Sequence, residues 1–460
     1  MRKILKGILA IGCVTLLSFG TFGCSKVINA YDIAVKNGFQ GTEEEWLRSL
    51  HGANGADGKD FEAEELYQTA VEKGYEGSFL DFCATLNITI PNNNDTNMIA
   101  ENARSVVSVF CSYTITTDGS FLNPGTKQYG AKGGSGVIIH LNKEAGNALI
   151  VTNYHIVYEK DSDQGGILDD IWVYPYGAYN RFSAERTTQV DDGIKATYVG
   201  GAMDYDIAIL KVEGSEYIQK SALTAATMGD SDKVKPGEQA FAIGNPAGAG
   251  IAVTDGIVSV PSEYIKLAAF DNRDIDRDGY VDAVSHRVIR TSAAINSGNS
   301  GGGLFDVNGE LIGIVNAKDS NLKTDNMGYA LPITLVRAIV DNILANGDSV
   351  HRATLGITTS VTSSKAVVDE HGQLSVQEEF MIVTSSSSPF KEKLRVGSLF
   401  VSAKVNDGET LTFTREYQLA YVLLSVRKGD TVTFVLRNPS GRESTAVITF
   451  DKDEYFTVWS

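Results

Sequence analysis

Short apolar runs of strand length, separated by glycines and polar turns, most constrain the fold of this 460-residue chain between residues 98 and 350. Such runs, of about four to eight residues, are typical of strands in all-β barrels. Two of them flank Asn308-Gly309, which predicts a hairpin with a type I′ turn. Pro332 and Gly347 bracket a predicted helix. Its apolar stripe consists of Val336, Ile339, Val340, Ile343 and Leu344.

A serine lies within the glycine-rich segment Asn296-Ser297-Gly298-Asn299-Ser300-Gly301-Gly302. A hydroxyl flanked by glycines can act as a nucleophile that a substrate backbone approaches closely. Glycines let the chain turn sharply, so the N–H groups of Gly298 and Ser300 can converge as an oxyanion hole. The same pattern also occurs in plain loops, so catalysis is favoured only if a base and an orienting carboxylate are present.

The chain supplies both partners of such a serine. His155 follows an apolar run at the end of an expected strand. Asp204 and Asp206 precede another apolar strand segment, where a buried carboxylate could hold an imidazole tautomer; we select Asp206 because it adjoins the strand. His155, Asp206 and Ser300 therefore form a candidate catalytic triad, in the chain order of chymotrypsin-type proteases.

Residues from about Met98 to Gly347 resemble the trypsin-like domain of the HtrA/Deg family of serine proteases. Besides the triad motifs, three segments carry the resemblance: Gly134-Ser135-Gly136-Val137-Ile138-Ile139, Ala242-Ile243-Gly244-Asn245-Pro246 and Gly328-Tyr329-Ala330-Leu331-Pro332-Ile333. It implies a mainly β fold, with a chymotrypsin/trypsin-like double β-barrel at residues 98–350 and a PDZ-like domain at 353–460. It also implies hydrolysis of unfolded or exported polypeptides without a required cofactor, and homotrimers of the protease domain.

The family geometry implies further roles for residues near the triad. The expected oxyanion hole consists of three main-chain N–H groups, those of Gly298, Asn299 and Ser300. The expected substrate pocket includes Ala294, Ile295 and Tyr329. Because the pocket base near Ala294 and Ile295 is apolar and uncharged, small to medium aliphatic side chains are expected before the scissile bond.

The segment 353–460 resembles a PDZ domain, which binds peptides between a strand edge and a helix. The resemblance implies that C-terminal peptides are partners, held by a carboxylate-binding loop. The candidate loop residues are Leu355, Gly356 and Ile357. A helix with an apolar face is expected at Leu419, Val422, Leu423 and Val426, and we assign most of these side chains to the core rather than to peptide contact.

The first 24 residues predict export. Three basic residues precede the uncharged apolar run 7–23, and Cys24 follows it. The segment 21–24 resembles a bacterial lipobox, which implies lipidation of Cys24 and attachment to the outer side of the bacterial membrane. An uncleaved anchor or an ordinary signal peptide is the alternative. If Cys13 and Cys24 belong to this segment, Cys83 and Cys111 remain, and their spacing leaves open whether they pair.

An internal repeat occupies residues 25–90. Segments 31–47 and 67–83 share Tyr, Ala-Val and two Gly positions, so each is expected to form two short helices around a glycine turn. We interpret this small helical module as a stalk, with a surface or cell-wall interaction module as the alternative. Residues 91–97 are expected to be a solvated linker.

Carboxylates alternate in a segment upstream of the serine motif. Asp274, Asp276 and Asp278, with a glycine at the sixth position, resemble the first half of an EF-hand loop. Ser285 stands where the bidentate Glu would be, so Asp282 would have to complete the calcium shell. A solvated hairpin tip is the alternative.

The net charge of −17 argues against nucleic acid and against electrostatic attachment to anionic lipid, because both reward clustered Lys and Arg. The sequence therefore favours a cell-envelope serine endopeptidase that degrades misfolded or exported proteins. One alternative is a non-catalytic peptide-binding protein or chaperone on the same scaffold. Another is a surface adhesion protein in which the repeat module dominates.

Overall fold

A computed structural model of the chain describes residues 35–36, 40, 42, 71, 93–117, 125–178, 192–268, 281, 283–316, 327–368 and 374–459. The predicted lipidation site and calcium ligands lie outside these residues: Cys24, Asp274, Asp276, Asp278 and Asp282. Nearly all of the repeat module lies outside them as well. Within the described ranges, no helix combines the length and apolar character that a membrane span requires.

The first barrel consists of six antiparallel strands, closed in the order β1-β2-β3-β8-β7-β6. These strands are β1 (Val106–Thr116), β2 (Lys127–Asn142), β3 (Asn147–Thr152), β6 (Asp170–Pro175), β7 (Ile194–Ala202) and β8 (Ile207–Val212). Closure pairs the edge strands with each other. The interior is filled by β-branched and leucine side chains, among them Val109, Ile150, Ile171 and Leu210, which are all fully buried. The short β4 (Tyr158–Glu159) and β5 (Gly166–Ile167) pair beside it.

The second sheet has the order β13-β10-β11-β12-β15-β14-β9, and β13 also pairs with β14, which joins six strands into a second ring. Its strands are β9 (Thr227–Met228), β10 (Gln239–Gly244), β11 (Ala252–Ala268), β12 (Ala283–Thr291), β13 (Gly303–Asp306), β14 (Glu310–Val315) and β15 (Gly328–Pro332). The predicted double β-barrel is therefore confirmed. The loop that precedes β13 carries the serine motif, so this barrel positions Ser300.

The hairpin between β13 and β14 forms, but the predicted type I′ turn is wrong. A type I′ turn needs positive φ at both central residues, and here Gly309 has φ 77° whereas Asn308 is not among the residues with positive φ. Instead, Oδ1 of Asp306 accepts the N–H groups of Asn308 (2.9 Å) and Glu310 (2.8 Å). The pairing shifts register next to Phe305, so the extra residue forms a bulge.

Helices are few in the described residues. The helices between residues 93 and 459 are α1 (Asn93–Ala103), α2 (Tyr154–Val157), α3 (Glu216–Lys220), α4 (Ile333–Asn346) and α5 (Gln418–Ser425). The start of α1 at Asn93 corrects the predicted 91–97 linker, which is helical from that residue onward. The predicted helix α4 begins after Pro332 and ends before Gly347. Its stripe is buried except at Leu344, which is 45% exposed because it lies off the face that packs on the barrel.

The C-terminal domain has a sheet of order β17-β18-β19-β21-β22, with β20 paired to β19. Its strands are β17 (Thr358–Val368), β18 (Leu374–Thr384), β19 (Leu399–Val405), β20 (Thr410–Thr412), β21 (Thr431–Arg437) and β22 (Glu443–Thr449). Leu419, Val422 and Val426 lie in its hydrophobic core, as expected, and Leu423 packs against that core. A separate two-stranded ladder joins β16 (Val350–Ala353) to β23 (Phe456–Trp459).

The C-terminal domain packs directly on the second barrel. Leu424 of α5 belongs to the same buried cluster as α4 and the barrel interior. Arg287 of β12 contributes a second contact: its guanidinium lies 3.5 Å from the ring centroid of Tyr417 and binds Asp232 at 3.1 Å. Burial raises the pKa of Asp232, and the charge of Arg287 opposes that shift. The two domains therefore share an apolar core and a charged, buried junction.

Candidate active site

The structure brings Asp206, rather than Asp204, to His155. The Nδ1 atom of His155 lies 2.8 Å from Oδ2 of Asp206, and the main-chain N–H of His155 donates to Oδ1 at 2.9 Å. Asp206 is fully buried, and its main-chain oxygen accepts from Nδ2 of Asn153 at 2.9 Å. His155 lies on α2 directly after β3, whereas Asp206 directly precedes β8, and these two strands are paired. Strand pairing thus brings two residues that are 51 positions apart into contact.

Asn316, which the sequence analysis did not select, contacts both Asp206 and Ser300. Its Nδ2 donates to Oδ2 of Asp206 at 2.7 Å, and its main-chain oxygen accepts the Ser300 hydroxyl at 2.5 Å. Asn316 is 1% exposed, so its own donor and acceptor are shielded from bulk water. A hydrogen bond to an ionised carboxylate is about twice as strong as one between neutral groups. The available sequence signal was an Asn immediately after the buried strand β14, which is common in loops.

One cavity of about 510 Å³ contains all three predicted triad residues. It is lined by Lys132, Gly133, His155, Ile156, Asp206, Leu267, Ser297, Gly298, Ser300 and Asn316. His155 and Ser300 are partly buried, so a substrate can reach both of them. Acyl transfer requires a nucleophile, a base and an orienting carboxylate, and this open cavity brings the three together.

The serine motif presents two free amides next to the hydroxyl. Among the described residues, the N–H groups of Gly298 and Ser300 have no hydrogen-bond acceptor, which leaves both free for a substrate oxyanion. The Ser135 hydroxyl binds the Gly298 main-chain oxygen at 2.7 Å and so orients this segment. The prediction for Asn299 is wrong, because its N–H donates to the Asn296 main-chain oxygen at 3.0 Å. Asn299 is therefore a turn residue here and not an oxyanion donor.

Lys132, a residue of β2, holds the segment that carries His155. Its Nζ donates to the main-chain oxygens of His155 at 3.2 Å and Tyr158 at 2.5 Å, and it pairs with Glu159 at 3.2 Å. These oxygens lie in and just after the one-turn helix α2, where main-chain carbonyls lack helical partners. The sequence analysis did not select Lys132, because a lone Lys in a strand is usually a solvated surface residue.

The residues predicted for the substrate pocket do not line the cavity described above. Ile295 and Tyr329 are 5% and 3% exposed, and both side chains belong to hydrophobic core clusters. Ala294 is exposed, and its main-chain oxygen accepts from the Thr254 hydroxyl at 2.9 Å. The prediction is therefore wrong for Ile295 and Tyr329, because the second barrel uses them as core. Leu267 of β11 contributes an apolar wall that was not predicted.

The predicted carboxylate-binding loop lies between β16 and β17. Leu355 is 2% exposed and packs in the domain core, and Gly356 has φ 62°, a conformation that favours glycine. The Gly356 N–H donates to the Thr354 hydroxyl at 3.3 Å, and Ile357 is partly buried. The described residues contain no group of three or more His, Cys, Asp or Glu side chains arranged to hold a metal ion.

Comparisons with known proteins agree with this geometry. The chain matches the trypsin-like peptidase domain over residues 134–314. It is 31% identical over 303 residues to the serine protease Do-like HtrB of Bacillus subtilis. That match covers 64% of this chain and 61% of HtrB, which is less than two thirds of the length of HtrB. It is 30% identical over 332 residues to the serine protease Do-like HtrA of Lactococcus lactis subsp. lactis, covering 69% of this chain and 70% of that protein.

A solved structure of the HtrA-type protease AlgW with decapeptide aligns with 76% of this chain and 96% of its own length, at 22% identity and a TM-score of 0.45. The Lactococcus lactis relative, matched over more than two thirds of its length, and the matched peptidase domain show the family. The chain belongs to the HtrA family of trypsin-like serine proteases.

Proposed function

We propose that the chain is an exported serine endopeptidase that cleaves misfolded or exported polypeptides through an acyl-enzyme. The supporting observation is the 2.8 Å contact between His155 and Asp206 on the cavity that also contains the Ser300 hydroxyl. The names of the relatives, all serine proteases, support the same reaction class. A non-catalytic peptide-binding role on this scaffold is the alternative.

In the proposed mechanism, His155 is the general base. The Ser300 side chain turns from the Asn316 carbonyl toward Nε2 of His155, and its oxygen attacks the substrate carbonyl carbon while Nε2 takes the proton. Asp206 holds Nδ1 of the ring and stabilises the imidazolium. His155 then gives the proton to the leaving amine. Water hydrolyses the acyl-enzyme by the same route and restores the Ser300 hydroxyl.

The N–H groups of Gly298 and Ser300 are the proposed oxyanion hole. Each donor of this kind contributes about 3 kcal/mol to transition-state stabilisation. The cavity walls from Ile156 and Leu267 are apolar, which supports aliphatic residues beside the scissile bond.

The remaining assignments rest on the family resemblance. We propose that the C-terminal domain is PDZ-like and binds peptide C-termini at the loop of Leu355, Gly356 and Ile357. We also propose export with lipid attachment at Cys24, assembly into homotrimers, and optional calcium binding at the Asp-rich segment 274–282. Loss of membrane association in Cys24→Ala would support the anchor, and unchanged activity in excess chelator would exclude a calcium requirement.

The decisive experiment compares casein hydrolysis by the wild type, Ser300→Ala and the matched control Ser297→Ala, with calcium and with chelator. Ser297 lies three residues away on the same cavity and has no role in the proposed chemistry. We expect Ser300→Ala to abolish cleavage and Ser297→Ala to retain it. No cleavage by the wild type, with or without a C-terminal peptide activator, would favour the peptide-binding alternative.

A further inference from the structure

The residue immediately before Asp206 is held by a different part of the chain. Tyr205 ends the short 3₁₀ turn Met203–Tyr205, and Asp206 follows with φ 53°. A non-glycine residue in the left-handed region is strained, and it persists only where its surroundings hold it there. The N–H of Asp206 donates to the Met203 oxygen at 3.0 Å, and Asn153, His155 and Asn316 hold its main-chain oxygen and carboxylate. Tyr205, the preceding residue, adds a contact with a more distant part of the chain to these restraints.

Two residues from the ladder of β16 and β23 contact Tyr205. Nη1 of Arg352 donates to the Tyr205 hydroxyl at 3.0 Å. The Trp459 ring meets the Tyr205 ring edge to face, with centroids 6.1 Å apart at 82°. The Arg352 guanidinium also lies 4.5 Å from the Trp459 ring centroid. Arg352 and Trp459 together form a clamp around Tyr205.

The clamp is fixed to the protease domain. Asn342, a fully buried residue of α4, accepts the His351 N–H at 2.7 Å and donates to the main-chain oxygens of His351 at 2.9 Å and Leu424 at 2.7 Å. The ladder pairs His351 with Val458 and Arg352 with Thr457, so β23 is aligned with the anchored strand. The clamp thus has a defined position relative to the Asp206 loop.

We propose that Tyr205 is a positioning residue for Asp206 and that the clamp of Arg352 and Trp459 is required to hold it. The last described strand, β23, then belongs functionally to the catalytic apparatus. This inference rests on the proposed function, in which Asp206 orients His155. Asp206 must keep its carboxylate 2.8 Å from Nδ1, and a displacement of about 1 Å in such a group can lower a rate a hundredfold.

Loss of the clamp has a distinctive kinetic signature. None of Tyr205, Arg352 and Trp459 lines the cavity around Ser300, so substrate binding does not depend on them directly. Poorer alignment of Asp206 disfavours the imidazolium that forms only during the reaction. The expected result is a fall in kcat at constant KM, with the acid limb of the kcat/KM pH profile moved to lower pH.

The test uses the full chain with Trp459→Ala, Trp459→Phe and Tyr205→Phe, assayed on a fluorogenic peptide together with thermal unfolding. Val458→Ala is the matched control, because Val458 neighbours Trp459 on the same strand and is 55% exposed. We expect Trp459→Ala to lower kcat about tenfold to a hundredfold, with KM within about twofold. Trp459→Phe retains an aromatic edge and should restore most of the activity, and Val458→Ala should match the wild type.

Wild-type kcat in a folded Trp459→Ala protein would overturn the positioning role. Tyr205→Phe removes the hydroxyl that Arg352 contacts and is expected to lower kcat; if Trp459→Ala does not fold, wild-type kcat in Tyr205→Phe overturns the positioning role instead. If kcat falls equally in Trp459→Ala and in Val458→Ala, the effect comes from domain stability, and the positioning role is overturned. Absence of Ser300-dependent cleavage by the wild type would overturn the proposed function and this inference together.

Discussion

Replacement of Asn316 by leucine isolates one hydrogen bond to the proposed catalytic carboxylate. Leucine has the same number and branching of side-chain heavy atoms as asparagine but cannot donate a hydrogen bond, so among the described contacts Oδ2 of Asp206 keeps only the one to His155. A hydrogen bond to a charged acceptor contributes about 1.5–3 kcal/mol. If that contribution is lost in the transition state, at 1.36 kcal/mol for each tenfold, kcat/KM of Asn316→Leu falls about tenfold to 150-fold.

The assay is steady-state hydrolysis of a fluorogenic peptide, with thermal unfolding measured in parallel. Asn102→Leu is the matched control: Asn102 is also largely buried, but it lies on α1 and its recorded side-chain contact is to the sulfur of Met98 at 3.2 Å. We expect the control to retain kcat/KM even if its stability changes. A folded Asn316→Leu protein with kcat/KM within about twofold of the wild type would refute the reasoning.

Three further predictions concern the serine motif, the His155 segment and the core of the first barrel. Gly301→Ala should destabilise the fold by roughly 1–3 kcal/mol from backbone strain alone, since Gly301 has φ 83°. An added Cβ would also lie 2.0 Å from a main-chain oxygen, which increases the loss. Thermal unfolding measures the loss, and wild-type stability would contradict the prediction. Lys132→Met should lower kcat/KM about threefold to tenfold, because it loosens the segment that carries His155. The control Lys195→Met removes an exposed ion pair and should leave kcat/KM unchanged. Equal effects of the two substitutions would contradict the role of the contact between Lys132 and the His155 main-chain oxygen. Burial raises the pKa of Cys111 from 9.0 to about 12, because the folded state disfavours the thiolate. The free energy of unfolding that Cys111 contributes is therefore fully present below pH 9 and is lost as the pH rises toward 12. Peptide mapping after treatment with a thiol reagent at pH 8 should find Cys111 labelled only in denaturant, and rapid native labelling would show that the thiol is accessible.

Elements that depend on local pattern were predictable. The strands of both barrels follow from apolar runs and turn residues, and α4 follows from its helical spacing between Pro332 and Gly347. The exposure of Leu344 was not predictable, because the position of the stripe on the helix does not determine how far the barrel covers it. Likewise, Asn308-Gly309 predicted the hairpin but not its turn type, since the Asp306 carboxylate competes for the same N–H groups.

The apolar residues that line the substrate cavity could not be predicted from the sequence. Ile295 and Tyr329 are apolar and close in sequence to the serine motif or the adjacent strand, which fits either a pocket or a core. The barrel packing decides between these roles, and both residues are buried in it. Leu267, which does line the cavity, lies 33 residues before Ser300, and no local pattern connects the two.

The sequence by itself determined the chemical groups: a hydroxyl between glycines, one histidine after a strand and one carboxylate before another, in the order His155, Asp206, Ser300. These could be recognised because each has a local signature. Only the tertiary structure decided what surrounds them. Asn316 reaches Asp206 across 110 positions, and Trp459 reaches Tyr205 through the pairing of two strands at opposite ends of the C-terminal domain. Contacts between residues so far apart along the chain depend on how strands and domains pack, and no local pattern in the sequence records that packing.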